Sequence, residues 1–314
     1  MYLELHGLIM SVILMTFRLG MVRILRLCNF QLVQPIANPC FYRRMHMIVT
    51  INSFEEYRAF ILDISRDSLF CDPHFTYDPD NLYGSLHRKD ESAFAVVADG
   101  SVQGLFVWLI LPDRRYMEML IGLTRSEAAF SEMLSHLAES YPGYQADFVL
   151  NPKNTALLRV LAGKGAYFDG EQQKMLLTGP GPAVSTDCVE PYAEKWQAQY
   201  RALHRTDTYW TADRVLSAPE RFRVFLAVED RQLLGYLDVT YGCDINEPYD
   251  LLVRPGLPFR KYAVPLLAEA VRRNGPGQMM ALVYTDAAEE IAAYAASGFE
   301  KVEGQNSVYA SYRL

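Results

Sequence analysis

The stretch PGYQADFVLNPKNTALLRVLAGKGAYF, residues 142–168, can be written directly over PGQMMALVYTDAAEEIAAYAASGFEKV, residues 276–302. Each opens on Pro-Gly, runs through a short apolar segment and a polar turn, enters a small-residue helical pattern and stops at a glycine. Working outward, AFAVVADGSVQGLFVW (93–108) lies over VFLAVEDRQLLGYLDV (224–239), each an apolar run, a polar turn and a second apolar run containing a glycine. The offset is 131 residues from Gly104 to Gly235 and 133 from Gly165 to Gly298. That drift is what loop variation allows, so the chain carries two copies of one unit.

Each copy follows the same order. Ser53-x-x-Glu56 has the form of a capping box opening an amphipathic helix with Phe54, Tyr57, Phe60 and Ile61 on one side, and a second helical stretch lies near 78–88. Strands are predicted at 92–98, 102–111 and 116–123, a helix at 126–140, a strand at 144–150, a helix at 154–164 and a strand at 167–177. The second copy gives helices at 191–205 and 211–218, strands at 223–229, 233–241 and 249–253, and a helix at 261–273. It ends with a strand at 278–284, a helix at 286–297 and a strand at 300–313. Asp99-Gly100 predicts a two-residue hairpin, and Glu229-Asp230 a weaker one. The segment TGPGPAVSTDCVEP, 178–191, is rich in Pro, Gly and Ser and marks a boundary. The fold class is α/β with a mixed, mostly antiparallel sheet and helices on both faces of each copy. The expected division is an extension at 1–46, domains at 47–177 and 191–314, and a linker at 178–190.

Composition narrows the partners. Half of the 314 residues are apolar and the net charge is −7. With no long basic block, nucleic acid is not expected as a partner. The five cysteines, Cys28, Cys40, Cys71, Cys188 and Cys243, are scattered, with neither a disulfide framework nor a metal-ligand spacing, so no metal is expected and a cytoplasmic setting is. The first residues differ from the rest. GLIMSVILMTF (7–17) is apolar but too short to span a bilayer, and arginines follow it instead of preceding it. Three readings stand there: a signal-like or amphipathic membrane segment, an organelle transit peptide, or sequence upstream of the true start. The third, or a disordered extension, is favoured, and no membrane role is expected.

The element order, together with the last ninety or so residues, resembles the GNAT (general N-acetyltransferase) superfamily, in the tandem arrangement of two such domains, over about 47–314. In that family a loop reading R/Q-x-x-G-x-G/A leads into the helix after the third meander strand and holds the pyrophosphate of acetyl-CoA on backbone N–H groups at the helix start. Within LLVRPGLPFRKYAVPLL (251–267), Arg260 stands at the R/Q position, Ala263 at the first small position and Pro265 at the second. The resemblance implies a phosphate cradle at Arg260, Lys261, Tyr262, Ala263 and Val264, with Pro265 removing one N–H from it. It implies a backbone N–H near Leu252 and Val253 for the acyl carbonyl. The family also keeps a tyrosine four residues before Gly-Phe that protonates the departing thiolate, and Tyr294 lies four before Gly298-Phe299. An asparagine is usual seven residues before that tyrosine; here it is Ala287, beside Asp286, whose spacing to Glu289 reads as a cap.

The first copy reverses this pattern. Asn154 is present, but Leu161 replaces the tyrosine, and IGLTRSEAAFSEML (121–134) has no small-residue loop and carries Glu127 and Glu132. The first copy is therefore expected to be non-catalytic. The resemblance implies a base drawn from a meander carboxylate, for which Asp250 is the choice, with Asp238 and Glu247 as further candidates. His204, on a helix with Trp196 and Tyr200, reads as structural. The expected activity is acetyl-CoA-dependent N-acetyl transfer to an amine of a small molecule or peptide. The alternatives are a double domain that has lost catalysis and serves in binding or regulation, and an aminoacyl-transfer enzyme, which the acidic charge disfavours.

Overall fold

The computed structural model describes residues 46–314 apart from 207, 244 and 276; the expectations for the first 45 residues lie outside the described residues. The first half holds β1 (His46–Thr50), α1 (Arg58–Ser65), α2 (Pro73–Tyr77), α3 (Asp80–Tyr83), β2 (Glu91–Ala98), β3 (Ser101–Leu111), β4 (Tyr116–Thr124), α4 (Glu127–Ser140), β5 (Gln145–Leu150), α5 (Thr155–Gly163) and β6 (Tyr167–Leu177). The second holds β7 (Val189–Pro191), α6 (Gln197–Leu203), α7 (Ala212–Leu216), β8 (Phe222–Glu229), β9 (Gln232–Thr240), β10 (Ile245–Asn246), β11 (Pro248–Val253), α8 (Phe259–Asn274), β12 (Gln278–Tyr284), α9 (Ala288–Ala296), β13 (Glu300–Lys301) and β14 (Ser307–Arg313).

The repeat is visible at single residues. Gly165 (φ +75°) and Gly298 (φ +92°) both adopt the left-handed conformation that ends a helix. Around them Ala166 N–H donates to Leu161 C=O (3.0 Å) and Phe299 N–H to Tyr294 C=O (3.1 Å), the same closing bond twice. Both hairpins turn through two left-handed residues, Asp99-Gly100 and Asp230-Arg231. The second is therefore one residue later than expected, because the strand runs on through Glu229. Ser53 forms no capping box: Phe54 is the N-cap, and a short 3-10 turn precedes α1. The long helix expected at 191–205 is reduced to a 3-10 turn at Glu194–Trp196 followed by α6, which stops before His204. The strand expected at 300–313 is interrupted by a turn around Gly304 (φ +76°).

The strands form two sheets. One runs β1-β2-β3-β4-β5-β14-β6-β12-β10, with β13 also on β6, and the other runs β11-β9-β8-β7. The last strand of each half therefore lies beside the crossover strand of the other: β14 pairs with β5 (Val308↔Leu150 to Arg313↔Gln145), and β6 pairs with β12 (Leu177↔Met279 to Gln172↔Tyr284). Apolar clusters fill both faces. Met175 and Leu177 of the first half pack with Leu251, Val253, Leu266 and Tyr294 of the second, and Val308 and Ala310 of the second half sit in the core of the first. Among the described residues no helix is long and apolar enough to cross a membrane.

In both copies the third meander strand parts from the crossover strand. β4 pairs in parallel with β5 only from Tyr116 to Met119, and β10 pairs with β12 only at Ile245 and Asn246. Beyond those points each copy has a wedge-shaped gap between diverging strands.

Candidate active site

The gap in the first copy is filled by its own chain. Asp72 caps α2 by accepting from His74 N–H (2.9 Å) and Phe75 N–H (3.1 Å), and its second oxygen accepts from Gly122 N–H of β4 (2.8 Å). His74 Nδ1 donates to Leu120 C=O (2.7 Å). Asn151, just after β5, donates to the carbonyls of Ser68 and Cys71 (3.1 Å each). The free edge of β4 is thereby satisfied internally. The start of α4 is closed as well: Ser126 accepts from Ala129 N–H (3.1 Å), and Glu127 adds a carboxylate there, paired with Arg159.

The gap in the second copy differs on each count. β11 is an edge strand. Arg254 N–H donates to Leu234 C=O (2.7 Å), and Val253 is registered opposite Gly235. By the alternation of an antiparallel ladder, the backbone groups of Leu252 face β9, while those of Leu251 and Val253 face the gap. Of the two residues expected to present an amide, Val253 does so and Leu252 does not. The helix beyond, α8, begins at Pro258 with no side-chain cap, and the Phe259 and Arg260 N–H groups have no partner among the described residues.

The remaining cradle residues divide. Arg260 is exposed and has no ion-pair partner among the described residues. Lys261 is instead held by Glu229 (2.8 Å), and the Tyr262 hydroxyl donates to the same carboxylate (3.0 Å). That carboxylate and Tyr262 push the Lys261 ammonium further up, so its charge is spent locally. Tyr262 and Ala263 are buried in the core against the sheet and Val264 is half-buried beside them, so their side chains seat the helix and do not reach a ligand at its start. Pro265 is the seventh residue of α8, inside the helix. The N–H it lacks would have met the Lys261 carbonyl, so it weakens the second turn and leaves the orphan N–H groups at the start untouched. The expected loss of a cradle donor does not occur.

Tyr294, on α9, is buried to 3% exposure, with its ring edge-on to Phe299. Its hydroxyl makes no hydrogen bond to a described residue. Burial first, and then the charges of Glu290 and Asp250, push its ionisation well above the ordinary tyrosine range, against the opposing pull of Arg205. Tyr294 and Asp250 are thus brought into one electrostatic environment. Asp286 does not cap α9; its N-cap is Ala287, without a side-chain bond, where Asn154 caps α5 by accepting from Leu157 N–H (3.3 Å).

Asp250 is 4% exposed. Its Oδ2 accepts from the Tyr236 hydroxyl (2.6 Å), and Arg205 Nη1 lies 3.3 Å from Oδ1 but out of line for a hydrogen bond. Directly across the strand pair stands Asp238, fully buried, whose oxygens accept from the Tyr200 hydroxyl (2.7 Å) and His204 Nε2 (2.8 Å). Burial raises Asp238 to about 6, against the hydrogen bond and charge of His204. Its carboxyl is fully engaged in these two bonds. Glu247, the third candidate base, lies elsewhere. Burial raises it to about 7, and the charges acting on it are those of Arg221 and Lys174. The ligand atoms of His204, Asp238 and Asp250 lie within 4.8 Å of one another, and the Arg205 guanidinium stands beside the Asp250 carboxylate.

The His204–Asp238 pair was not legible as a site. The available signal was an aspartate inside the apolar strand run LLGYLDVT (233–240), since a buried carboxylate must find a partner.

No protein-family model matches the chain, and no curated protein sequence matches it. Solved structures do. A GCN5-related N-acetyltransferase from Sphaerobacter thermophilus aligns with a TM-score of 0.55 at 13% identity, covering 85% of this chain and 95% of its own. A GCN5-related glucosamine N-acetyltransferase region of a fungal multi-domain GH3 β-N-acetylglucosaminidase aligns at 0.51 and 10% identity, over 88% of this chain and 39% of that one. A tandem GNAT protein from the clavulanic acid biosynthesis pathway aligns at 0.45 and 14% identity, over 86% of this chain and 98% of its own. The fold is that of the GNAT acetyltransferases.

Proposed function

We propose that the protein transfers an acetyl group from acetyl-CoA to an amine of a small molecule or peptide, with the second copy as the working half. The observation that carries this reading is the contrast between the gaps: the first is closed by Asp72, His74 and Ser126, and the second keeps, among the described residues, an unpaired strand edge and an uncapped helix start. That vacant backbone fits an acyl-CoA, whose pantetheine amides can pair with a strand edge and whose pyrophosphate suits a helix N-terminus. Phe259 and Arg260 N–H groups and the Arg260 guanidinium would hold the pyrophosphate, and the Val253 amide would face the acyl carbonyl. Acetyl-CoA supplies the activated thioester. Asp250 would take the proton of the acceptor amine, and Tyr294, kept protonated by its burial, would give one to the departing sulfur. The free thiols Cys71, Cys188 and Cys243 fit a reducing, cytoplasmic setting.

A second reading, a double domain that binds without catalysing, is favoured by Ala287, which leaves α9 without the side-chain cap that Asn154 gives α5. Calorimetric titration of acetyl-CoA into the full chain separates them in part. One site per chain is expected, weakened about tenfold or more by Arg260→Glu, which reverses the charge at the cradle. Two sites, or one site indifferent to Arg260, would remove the second-copy assignment. Bound cofactor with no acetylation across an amine panel would favour the binding protein.

A further inference from the structure

We propose that His204 is a positioning residue for this site: as an imidazolium held between Asp238 and Asp250, it fixes Asp250 as the carboxylate that meets the acceptor amine. The catalytic half of this inference rests on the acyltransferase reading; the state of His204 rests on geometry alone.

His204 is the residue just beyond α6, its backbone turned to an extended conformation and its N–H bonded to Tyr200 C=O (2.8 Å). Its Nδ1 lies 2.8 Å from Arg205 C=O. A carbonyl can only accept, so Nδ1 carries a proton. Its Nε2 lies 2.8 Å from Asp238 Oδ2 and 3.9 Å from Asp250 Oδ2. A neutral ring with its proton on Nδ1 would place a bare lone pair against a carboxylate at hydrogen-bond distance. A proton therefore sits between Nε2 and Asp238. A proton on either side of that bond would satisfy both atoms, but the second carboxylate, Asp250 Oδ2 at 3.9 Å, favours the form with the positive charge on the ring: imidazolium between two carboxylates.

The ring cannot easily turn away from this arrangement. It stacks on Tyr236 (4.8 Å between centroids, 8° between planes) and meets Tyr200 edge-on (5.2 Å). Tyr236 in turn donates to Asp250 Oδ2 and receives Arg205 N–H (3.2 Å), so the ring, the phenol and the carboxylate are one packed unit. The charged and titratable groups around it are Tyr200 from α6, Arg205 after it, Tyr236 and Asp238 from β9, and Asp250 from β11, with Glu290 and Tyr294 of α9 within electrostatic reach of Asp250. Two carboxylates directly opposite on neighbouring buried strands repel, and a cation between them removes that cost. Burial alone would lower the His204 pKa, but the hydrogen bond and charge of Asp238, with Arg205 C=O and Asp250, raise it overall. The imidazolium thus persists to higher pH than an ordinary histidine would allow.

Nitrogen-edited NMR of the full chain tests the state of His204, its signal being the one of six histidine signals lost in His204→Gln. At pH 7.5 both ring nitrogens should be protonated; a neutral ring would overturn the proposal. The same variant keeps an N–H donor toward Asp238 but no charge. With saturating acetyl-CoA it should lower kcat about tenfold or more, move the acid limb of the pH–rate profile up by about one unit, and leave the acetyl-CoA KM unchanged. A purely structural role would lower the melting temperature without moving that limb. Should His204→Gln fail to fold, Tyr236→Phe removes the hydroxyl donated to Asp250 while keeping the ring, and should shift the limb the same way. An unmoved limb in folded variants would overturn the role, as would stoichiometric Zn²⁺ binding that His204→Gln abolishes. If no amine is acetylated at all, the catalytic role falls with the acyltransferase reading, and the NMR result then decides the imidazolium clamp by itself.

Discussion

A phenol enclosed as Tyr294 is, with Glu290 one helical turn away and Asp250 beyond, holds its proton throughout the physiological range. It therefore stands in the protonated form that a donor to sulfur needs, while the same burial and charges make it a weaker acid than an ordinary tyrosine. Tyr294→Phe removes only the hydroxyl and keeps the ring that packs on Phe299 at 5.1 Å. The expected result is a 10- to 100-fold fall in kcat with the acetyl-CoA KM within about twofold. Steady-state kinetics on a responsive amine would read it. An unchanged kcat in a folded variant would leave Tyr294 as a core residue. Its position was legible because a helix ending in Gly-Phe fixes which turn a residue four places earlier occupies. Asp250 is chosen over Asp238 and Glu247 on the resemblance; the physical ground for separating them lies in which strand face meets α6, and in the bulge between Pro248 and Asp250 that resets the alternation. The same alternation separates Val253 from Leu252, which spacing alone could not do.

Among elements, the two gaps show how one framework supports opposite outcomes. The divergence of β4 from β5 and of β10–β11 from β12 is common to both copies, so it belongs to the repeated framework. What fills the gap comes from the helices before the meander, where the two copies share no recognisable sequence, and so the plug at Asp72 was not readable. Asp72→Ala strips a cap from α2 and leaves the buried Gly122 N–H without an acceptor. A loss of roughly 2 kcal/mol of stability is expected in urea unfolding. Because Ser126 still closes the start of α4, the variant should continue to bind one acetyl-CoA per chain. A second site appearing on calorimetry would mean that the plug alone silences the first copy. Pro265 teaches a related point: its effect depends on whether the helix begins at Phe259 or two residues later, a boundary that propensity does not fix.

At the scale of the molecule, the repeat was plain in the sequence, but the exchange of last strands was not, because an alternating apolar strand carries no mark of which sheet it joins. The exchange has a mechanical consequence. β14 is hydrogen-bonded on one side to β5 and on the other to β6, and β6 is bonded to β12, so the halves share a continuous sheet. Without β14, the first half would expose the edges of β5 and β6 and a core lacking Val308 and Ala310; without β6, the second half would expose an edge of β12 and a core lacking Met175 and Leu177. A protease site inserted between Pro182 and Ala183, both exposed, cuts the chain where little is lost. The cut fragments should co-elute on size exclusion at the size of the intact chain and part only in denaturant, and neither should refold alone with a cooperative transition. Fragments that separate in buffer and each unfold cooperatively would show that the shared sheet adds little to either half. Fragments that stay together would mean that neither half completes its sheet without a strand of the other.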